Sequence, residues 1–288
     1  METRPLNDGF GIEVSGIDLN ATEDATIPGL RRLFHENQLM VIRDQDITPE
    51  RFRWFARHFG RPQPHIVAHL RHAEVPEILP LSNIFVDGKP IGIFDGAAFW
   101  HQDMAYEDVP SNATIVHALE VPDTGGETMF ADMWGAYDAL DAAMKTRLDG
   151  LIARHRYGNR ADEDYRTRTK AMELTEEEQK NVHDVFHPVV LEHPVTGRKG
   201  LYGVTSTSRG IVGMDDAEAV PLLDELTEHC AHERFVREHH YRVGDIILWD
   251  NFSLMHKATL IDKASGPGTR RYLHRISTKD PGHAQAGA

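Results

Sequence analysis

The residues of this chain with the clearest capacity for chemistry are two histidines and one aspartate. His101 and Asp103 are separated by one residue, and His256 follows far along the chain, at the end of the segment Trp249–His256. One carboxylate and two imidazoles can occupy one face of an octahedral metal ion and leave three coordination positions open. Those positions suit a co-substrate and a gas, so the set favours non-haem Fe(II) and oxygen chemistry.

The cysteine content argues against a closed structural zinc site. Such a site uses four protein ligands, usually with thiolates, and this chain contains a single cysteine, Cys230. One cysteine also excludes an internal disulfide bond and fits a reducing cytoplasm. Cys230 lies in a helical pattern with Leu222, Leu223 and Leu226, which predicts that its side chain is buried.

Length, charge and hydropathy narrow the class of function. The chain has 288 residues, 40% of them apolar, and a net charge of -14, which opposes binding to nucleic acid or to an anionic membrane surface. There is no run of about 18 apolar residues that would span a membrane, and no apolar N-terminal segment typical of a secretory signal. An anionic substrate would need a locally placed arginine or lysine, because the overall field repels anions. We therefore expect a cytoplasmic protein that binds a small organic molecule.

The segments that must position these residues are mainly predicted strands. Short apolar or alternating runs, bounded by glycine, proline or polar residues, predict strands. The predicted strands lie within Gly11–Leu19, Leu39–Ile42, Ala113–Leu119, Glu127–Phe130, Ile246–Trp249 and Arg270–Ser277, and in a hairpin around Pro194–Gly197.

Helical spacing and capping residues predict the flanking helices. One helix ends near Asn37, and others begin after Thr48, Thr175 and Asp215. A further helix, capped by Asp132, is predicted to carry apolar residues as far as Leu148.

The order of these elements favours one β-rich domain. Strands are scattered along the chain and do not alternate regularly with helices, which argues against a Rossmann-like sheet. A double-stranded β-helix of the jelly-roll, cupin-like type brings distant strands together around one cavity. We therefore predict a mostly β fold with flanking helices, as a single domain over residues 1–279, with a disordered tail at 280–288.

Several stretches of the chain, taken together, carry a family resemblance. These stretches are Trp100–Asp103, Val121–Thr128, His193–Lys199, Trp249–His256 and Arg270–Arg275. In this order and with these spacings they resemble the taurine dioxygenase and (2,4-dichlorophenoxy)acetate dioxygenase family of Fe(II)/2-oxoglutarate enzymes. The resemblance runs from about Gly11 to Ser277, and Ser82–Lys89 is closer to the phenoxyacetate branch than to the taurine branch.

The resemblance implies roles for three further residues. Thr128 matches a hydroxyl donor to the distal carboxylate of 2-oxoglutarate, and Arg271 matches the arginine whose planar fork grips that carboxylate. Arg270 is the alternative, because the preceding loop makes the spacing ambiguous. We favour Arg271 because the four-residue step from it to Arg275 is the family's, and strand alternation puts both on one face. Arg275 matches an arginine that meets the substrate anion or the inner carboxylate of 2-oxoglutarate.

The residues expected to contact the substrate are chosen on two grounds, the family resemblance and a position near the proposed metal ligands. They are Arg275, His65, His69, Arg71, Phe99, Met104 and Tyr106. The family places substrate contacts in the region of the first histidines and Arg71, whereas Met104 and Tyr106 follow the metal ligands in alternation. Phe94 and Phe99 suit an apolar wall or plain core packing equally well. Taurine enzymes carry polar residues where this chain has Gly96–Phe99, which favours a bulkier organic acid over a sulfonate.

The resemblance thus implies a dioxygenase that uses Fe(II), 2-oxoglutarate and O2 to hydroxylate a small organic acid of the aryloxyalkanoate type. Succinate and CO2 would be released, and the ether would be cleaved where the hydroxylated carbon adjoins its oxygen. One alternative is an enzyme of the same family that acts on a sulfonate, an alkyl sulfate or an amino-acid derivative. Another is a non-catalytic jelly-roll protein that binds a metal or ligand. The sequence also leaves open whether the chain forms a homo-oligomer.

Overall fold

Strands dominate the computed structural model, which describes residues 1–6, 9–94, 97–158, 174–205 and 207–280. The strands are β1 Glu2–Pro5, β2 Ile12–Ser15, β3 Leu39–Ile42, β4 Arg61–Gln63, β5 Leu79–Ser82, β6 Phe85–Val86, β7 Lys89–Pro90, β8 Ala113–Glu120, β9 Thr128–Asp132, β10 Ile152–His155, β11 Val185–Pro188, β12 Val190–Glu192, β13 Lys199–Leu201, β14 Ser208–Ile211, β15 Val236–His239, β16 Ile246–Asp250, β17 Leu254–Ala258 and β18 Tyr272–Lys279.

The α-helices flank these strands. They are α1 Ile27–Asn37, α2 Pro49–Ala56, α3 Met133–Asp138, α4 Ala142–Leu148, α5 Glu176–Gln179 and α6 Asp216–Cys230. None of the helices in the described part of the chain has both the length and the apolar character required to cross a membrane. Cys230 is buried, as its helical pattern predicted.

Two sheets form the centre of the fold. The larger has the strand order β1-β2-β3-β16-β8-β18-β4, with β5 also paired to β18. Its pairings are antiparallel except for the parallel pair β2 and β3. The smaller sheet has the order β15-β9-β17. An isolated antiparallel bridge between His101 and His256 adds the segment around His101 to the edge of this sheet.

The two sheets pack face to face, and each outer face is covered by helices. Val116 and Leu273 from the larger sheet form one buried cluster with Phe130 and Leu254 from the smaller sheet. The other face of the larger sheet packs on α1 and α2. The other face of the smaller sheet, which includes Met255, packs on α3, α4 and α6. Because strand side chains alternate between faces, a residue two positions from Leu254 or Leu273 points into the space between the sheets.

Most predicted elements are present, and the differences have physical causes. The predicted helix after Asp132 is two helices, because Asp141 accepts a hydrogen bond from the Met144 N–H at 2.7 Å and caps α4 as a separate helix. The predicted half-buried strand within Gly11–Leu19 is shorter, and its Glu13 is buried. Of the predicted tail at 280–288, only Asp280 lies within the described residues.

Candidate active site

Three buried side chains converge between the sheets: His101, Asp103 and His256. The Nε2 atom of His101 lies 3.7 Å from Asp103 Oδ1, and the Nε2 atom of His256 lies 3.6 Å from Asp103 Oδ2. These distances are longer than hydrogen bonds. The carboxylate therefore faces two imidazole nitrogens without bonding to either.

The smaller sheet positions the two histidines. His256 lies two residues after Leu254 on β17, so its side chain points between the sheets. Backbone hydrogen bonds of 3.0 and 2.9 Å join His101 and His256 in both directions. The chain is not a strand at Asp103. Asp103 begins a turn in which Met104 has φ 55°, so the predicted strand alternation of Met104 and Tyr106 is wrong.

The two imidazoles fit a divalent metal such as iron. His101 Nδ1 lies 2.8 Å from the carbonyl oxygen of Phe99 and donates to it, which leaves the Nε2 lone pair directed toward Asp103. His256 Nδ1 is buried without a hydrogen-bond partner among the described residues. Burial lowers the pKa of both histidines. Both rings are therefore neutral at pH 7, the form in which imidazole binds metals.

The carboxylate of Asp103 is held ionised by its other neighbours. Arg275 Nη2 lies 3.0 Å from Oδ1, and the Thr114 hydroxyl donates to Oδ2 at 2.6 Å. Burial alone would raise the pKa of Asp103, but the positive charge of Arg275, together with the hydrogen bond from Thr114, holds it well below its usual value. Ser277 links the two neighbours, because it accepts from Arg275 at 3.0 Å and lies 3.2 Å from Thr114 Oγ1.

Two amide side chains hold the segment around Asp103 in place. Asn251 donates to Thr114 Oγ1 at 3.0 Å and accepts from the Asp103 N–H at 3.3 Å. Gln102, between His101 and Asp103, donates to the Asn251 carbonyl at 2.7 Å and accepts from the Gly203 N–H at 2.9 Å. Such contacts orient metal ligands. Residue type and spacing along the chain had not identified Gln102 or Thr114 as part of the site.

A second polar group, formed by Arg271, Thr128 and Tyr241, lies at the start of β9 and just before β18. Arg271 is 8% exposed and its Nε donates to the Gly126 carbonyl at 3.0 Å. The Thr128 hydroxyl lies 2.8 Å from the Tyr241 hydroxyl, and the Arg271 guanidinium carbon lies 5.6 Å from the centre of the Tyr241 ring. Tyr241 was not anticipated from the sequence.

The structure separates the two neighbouring arginines. Arg270 has a side chain that is 40% exposed, and its Nη2 donates to Glu120 at 2.9 Å. Arg271 is fixed instead by Asn83, which accepts from its backbone N–H at 2.8 Å. Gly126 makes room for it, because a Cβ at this position, where φ is +78°, would lie 2.9 Å from Arg271 Cδ.

The predicted substrate contacts have different positions. His65 is buried, and burial together with the charge of Arg275 lowers its pKa to about 3. Burial raises the pKa of Tyr106 well above its usual value, and the charges of Arg275 and Asp103 also act on it. The charge of Arg275 therefore acts on both residues. The Phe99 ring lies 5.1 Å from the His101 ring.

The remaining predicted contacts differ in burial and in hydrogen-bond partners. Met104 is buried. Arg71 donates to the backbone carbonyl of His65 at 2.7 Å. His69 is exposed, and no hydrogen bond or ring contact of the described residues connects it to the three converging side chains. Phe94 packs against Phe85, with the ring centres 5.3 Å apart. Gly96, part of the stretch that disfavoured a sulfonate, lies outside the described residues.

Comparison with known proteins gives one family match over most of the chain. The model of the family described as "Taurine catabolism dioxygenase TauD, TfdA family" matches residues 2–277. The chain is 30% identical to the alpha-ketoglutarate-dependent 2,4-dichlorophenoxyacetate dioxygenase of Cupriavidus pinatubonensis, over 96% of each protein. It is 33% identical to the (S)-phenoxypropionate/alpha-ketoglutarate-dioxygenase of Sphingobium herbicidovorans, over 88% of each.

A solved structure has the same overall arrangement. The crystal structure of AAD-2 in complex with Mn(II) and N-oxalylglycine superimposes with a TM-score of 0.78 at 28% identity, and the match covers 97% of this chain and 98% of AAD-2.

Proposed function

The chain belongs to the TauD/TfdA dioxygenase family, and from this premise we propose which substrate it oxidises and which residues take part. It is an Fe(II)/2-oxoglutarate-dependent dioxygenase, an enzyme that uses Fe(II), 2-oxoglutarate and O2. We propose that the strands form a jelly-roll, cupin-like core within one cytoplasmic domain over residues 1–279. The face-to-face packing of the two sheets supports this core.

His101, Asp103 and His256 are the residues that we propose to hold the iron. The observation that carries this assignment is the direction of the two Nε2 atoms, which face the Asp103 carboxylate from 3.6 and 3.7 Å. Iron held there supplies O2 activation, coupled to the conversion of 2-oxoglutarate to succinate and CO2. The protein supplies an ionised carboxylate, two neutral imidazoles and a buried environment.

Arg271 and Thr128 are proposed to bind the distal carboxylate of 2-oxoglutarate. Arg271 is buried, and burial lowers its pKa. A buried guanidinium without an anion beside it costs free energy, so this site favours an anionic ligand. The Arg271 Nε is already used by Gly126. A guanidinium has further N–H donors beyond Nε, and a carboxylate can accept two of them.

Arg275 is proposed to bind the carboxylate of the substrate. It lies 3.0 Å from Asp103, so an anion that it holds is adjacent to the metal ligands. The carbon next to that carboxylate would then be the nearest to the metal and the one hydroxylated. The chain carries a net charge of -14, so a substrate anion needs a specific cation of this kind.

An aryloxyalkanoate suits this arrangement because the carbon next to its carboxylate also carries the ether oxygen. Replacing C–H by C–OH at that carbon gives a hemiacetal, which breaks down to a phenol and a 2-oxo acid. One oxygen atom of O2 enters the substrate, and the other enters succinate. Phe99, whose ring lies 5.1 Å from the His101 ring, and Tyr106, in the turn that begins at Asp103, would contact the aromatic part. Relatives named for 2,4-dichlorophenoxyacetate and phenoxypropionate support this class of substrate.

A substrate panel tests the proposal. The purified protein with Fe(II), ascorbate and 2-oxoglutarate is incubated with aryloxyacetic acids, aryloxypropionic acids, taurine and an alkyl sulfate, and succinate is quantified. We expect aryloxyalkanoic acids to stimulate succinate formation most, and their amides to be poor substrates because they lack the anion for Arg275. Efficient turnover of taurine with inert aryloxyalkanoic acids would reject the substrate class. Failure to consume 2-oxoglutarate with any compound would support a non-catalytic protein.

The neighbouring arginines provide a matched test of the 2-oxoglutarate site. Arg271→Gln should weaken 2-oxoglutarate binding tenfold or more, since a hydrogen bond to a charged group contributes roughly 1.5–3 kcal/mol. Arg270→Gln is the control, because that residue pairs with Glu120 at the surface. The assignment is wrong if Arg270→Gln shows the larger effect on the dissociation constant.

A further inference from the structure

Tyr241 contacts both residues of the proposed 2-oxoglutarate site. Its hydroxyl lies 2.8 Å from Thr128 Oγ1, and the Arg271 guanidinium carbon lies 5.6 Å from its ring centre. Burial raises the pKa of Tyr241, and the positive charge of Arg271 offsets only part of that rise. The hydroxyl is therefore protonated at neutral pH and has one proton to donate.

The hydrogen-bond capacity of the two hydroxyls gives their contact a direction. A threonine hydroxyl has one proton and two acceptor positions. If Thr128 is to donate its proton to a ligand carboxylate, its oxygen has to be the acceptor in the contact with Tyr241. Tyr241 must then be the donor. Arg271 cannot accept a hydrogen bond at all, so Thr128 is the acceptor that this group offers to the Tyr241 proton.

The fold holds Tyr241 in this position. His239 pairs in register with Thr128 across β15 and β9, so Tyr241 follows two residues after the position opposite Thr128. Its ring makes an edge contact with His239 at 4.8 Å and 90°. The ring also belongs to the buried cluster that contains Phe130 and Trp249. A side chain fixed on both sides is preorganised and loses little freedom when a ligand binds.

We propose that Tyr241 is a positioning residue for 2-oxoglutarate: it donates to Thr128 and so directs the Thr128 proton to the distal carboxylate. This inference rests on the proposed function, because it takes Thr128 and Arg271 as the 2-oxoglutarate site. Tyr241 acts only at the far end of the co-substrate. It therefore favours metal chelators with a second, distal carboxylate over chelators without one.

Calorimetry on the full chain loaded with Mn(II) tests the inference without turnover. The ligands are 2-oxoglutarate and oxalate, which chelates a metal but has no distal carboxylate. Tyr241→Phe keeps the ring and removes only the hydroxyl. It should weaken 2-oxoglutarate binding roughly three- to tenfold, the effect of one hydrogen bond, and leave oxalate binding unchanged. An equal loss for both ligands, or no loss for 2-oxoglutarate, would overturn the inference.

A double-mutant cycle tests whether Tyr241 acts through Thr128. In a Thr128→Val background there is no hydroxyl to orient, so adding Tyr241→Phe should weaken 2-oxoglutarate binding by less than twofold. Fully additive effects would overturn the inference. The control is Tyr202→Phe, since the buried Tyr202 hydroxyl has no hydrogen-bond partner in the part of the chain described. Binding by this control should equal that of the unmodified chain, and a loss like that of Tyr241→Phe would count against the inference.

Binding of 2-oxoglutarate by the unmodified chain distinguishes a failure of this inference from a failure of the proposed function. If it binds 2-oxoglutarate and Tyr241→Phe binds equally well, with an unchanged melting temperature, only the role of Tyr241 is wrong. If the Mn(II)-loaded chain does not bind 2-oxoglutarate, the proposed function fails and this inference with it.

Discussion

Two groups of buried or partly buried side chains in the described part of the molecule have the same composition, one aspartate and two histidines. The groups are His101, Asp103 and His256, and His35, His193 and Asp250. In each group the nitrogen and oxygen atoms that could bind a metal lie within 4.8 Å of one another. In each, burial alone would raise the pKa of the aspartate, but its neighbours hold that pKa well below the usual value.

In the group around Asp250, hydrogen bonds join His193 to the carboxylate, whereas His35 Nδ1 lies 3.5 Å from Asp250 Oδ2. His193 Nδ1 accepts from the backbone N–H groups of Val195 and Thr196, at 3.2 and 3.1 Å, so the proton of the neutral ring must be on Nε2. That proton is donated to Asp250 Oδ2 at 2.8 Å, and Oδ1 accepts from the Phe252 N–H at 2.8 Å. A proton occupies the place where a metal would bind, which makes this group structural.

The group around Asp103 has the opposite arrangement. His101 Nδ1 faces a carbonyl, that of Phe99, at 2.8 Å, so the proton is on Nδ1 and Nε2 carries the lone pair. The two Nε2 atoms remain 3.6 and 3.7 Å from the carboxylate. A backbone N–H beside Nδ1 thus makes Nε2 a donor, whereas a carbonyl there leaves Nε2 with a lone pair that can bind a metal. Composition and proximity alone do not distinguish the two.

The largest expected effect is the loss of metal binding on replacing Asp103. Asp103→Ala removes the only carboxylate of the proposed metal site, so we expect stoichiometric Mn(II) and Fe(II) binding to disappear and substrate-dependent succinate formation to be abolished. Anaerobic calorimetry measures the first and product analysis the second. Asp250→Asn is the matched control and should retain one metal per chain. The comparison fails if Asp103→Ala binds metal with near-normal affinity, or if Asp250→Asn loses it.

The control variant Asp250→Asn should be less stable than the unmodified chain. An asparagine at Asp250 cannot accept from both His193 and the Phe252 N–H, because one of its two polar groups is a donor. We expect Asp250→Asn to lower the free energy of unfolding by roughly 2–3 kcal/mol, the contribution of a hydrogen bond to a buried charged group. Urea unfolding at pH 7 measures this. A change below about 0.5 kcal/mol would show that the group is not structural.

Sequence alone predicted the scaffold better than the contacts within it. The apolar runs at Leu39–Ile42 and Ile246–Trp249 are strands, as their patterns indicated, and the structure pairs them side by side in the larger sheet. The turn at Asp103 was missed because the positive φ of Met104 has no clear local sequence pattern. The two Asp–His groups could not be separated either, since proton positions depend on which backbone group lies beside each ring.

Other residues of the site depend on strand register, which the sequence did not define. Thr114 and Ser277 meet because they are paired across β8 and β18. Tyr241 reaches Thr128 because of the pairing of β15 with β9. A register prediction would have found these residues, whereas residue type and spacing along the chain could not.

A third group of histidines, without a carboxylate, extends the comparison. The His72 and His274 rings are 5.3 Å apart, and burial, followed by the charges of His72 and His117, lowers the pKa of His274 to about 4. In the unfolded chain a histidine titrates near pH 6.5. Protonation therefore favours the unfolded state, and stability is lost as the pH falls from about 6.5 toward 4.

His274→Gln isolates this contribution. Between pH 7 and pH 5 the unmodified chain should lose about 1.5 kcal/mol more stability than the variant does. Urea unfolding at the two pH values measures the difference. Identical pH dependence of the two proteins would show that His274 is not held neutral by burial.

The smallest expected effect concerns Thr114. Its hydroxyl contacts the aspartate of the Asp103 group, and the Asp250 group has no such contact among the described residues. The Thr114 hydroxyl donates to Asp103 Oδ2 at 2.6 Å and accepts from Asn251 at 3.0 Å, so it fixes the carboxylate that the metal needs. Thr114→Val keeps the shape and removes the donor. We expect metal affinity to fall about tenfold, in line with other residues that orient metal ligands, with one metal still bound per chain. Thr207→Val is the control, because this buried hydroxyl lies near His155, on another strand pair, at 3.3 Å. If both variants weaken Mn(II) binding equally, the effect is general loosening of the core, and the Thr114 hydroxyl has no specific part in holding Asp103.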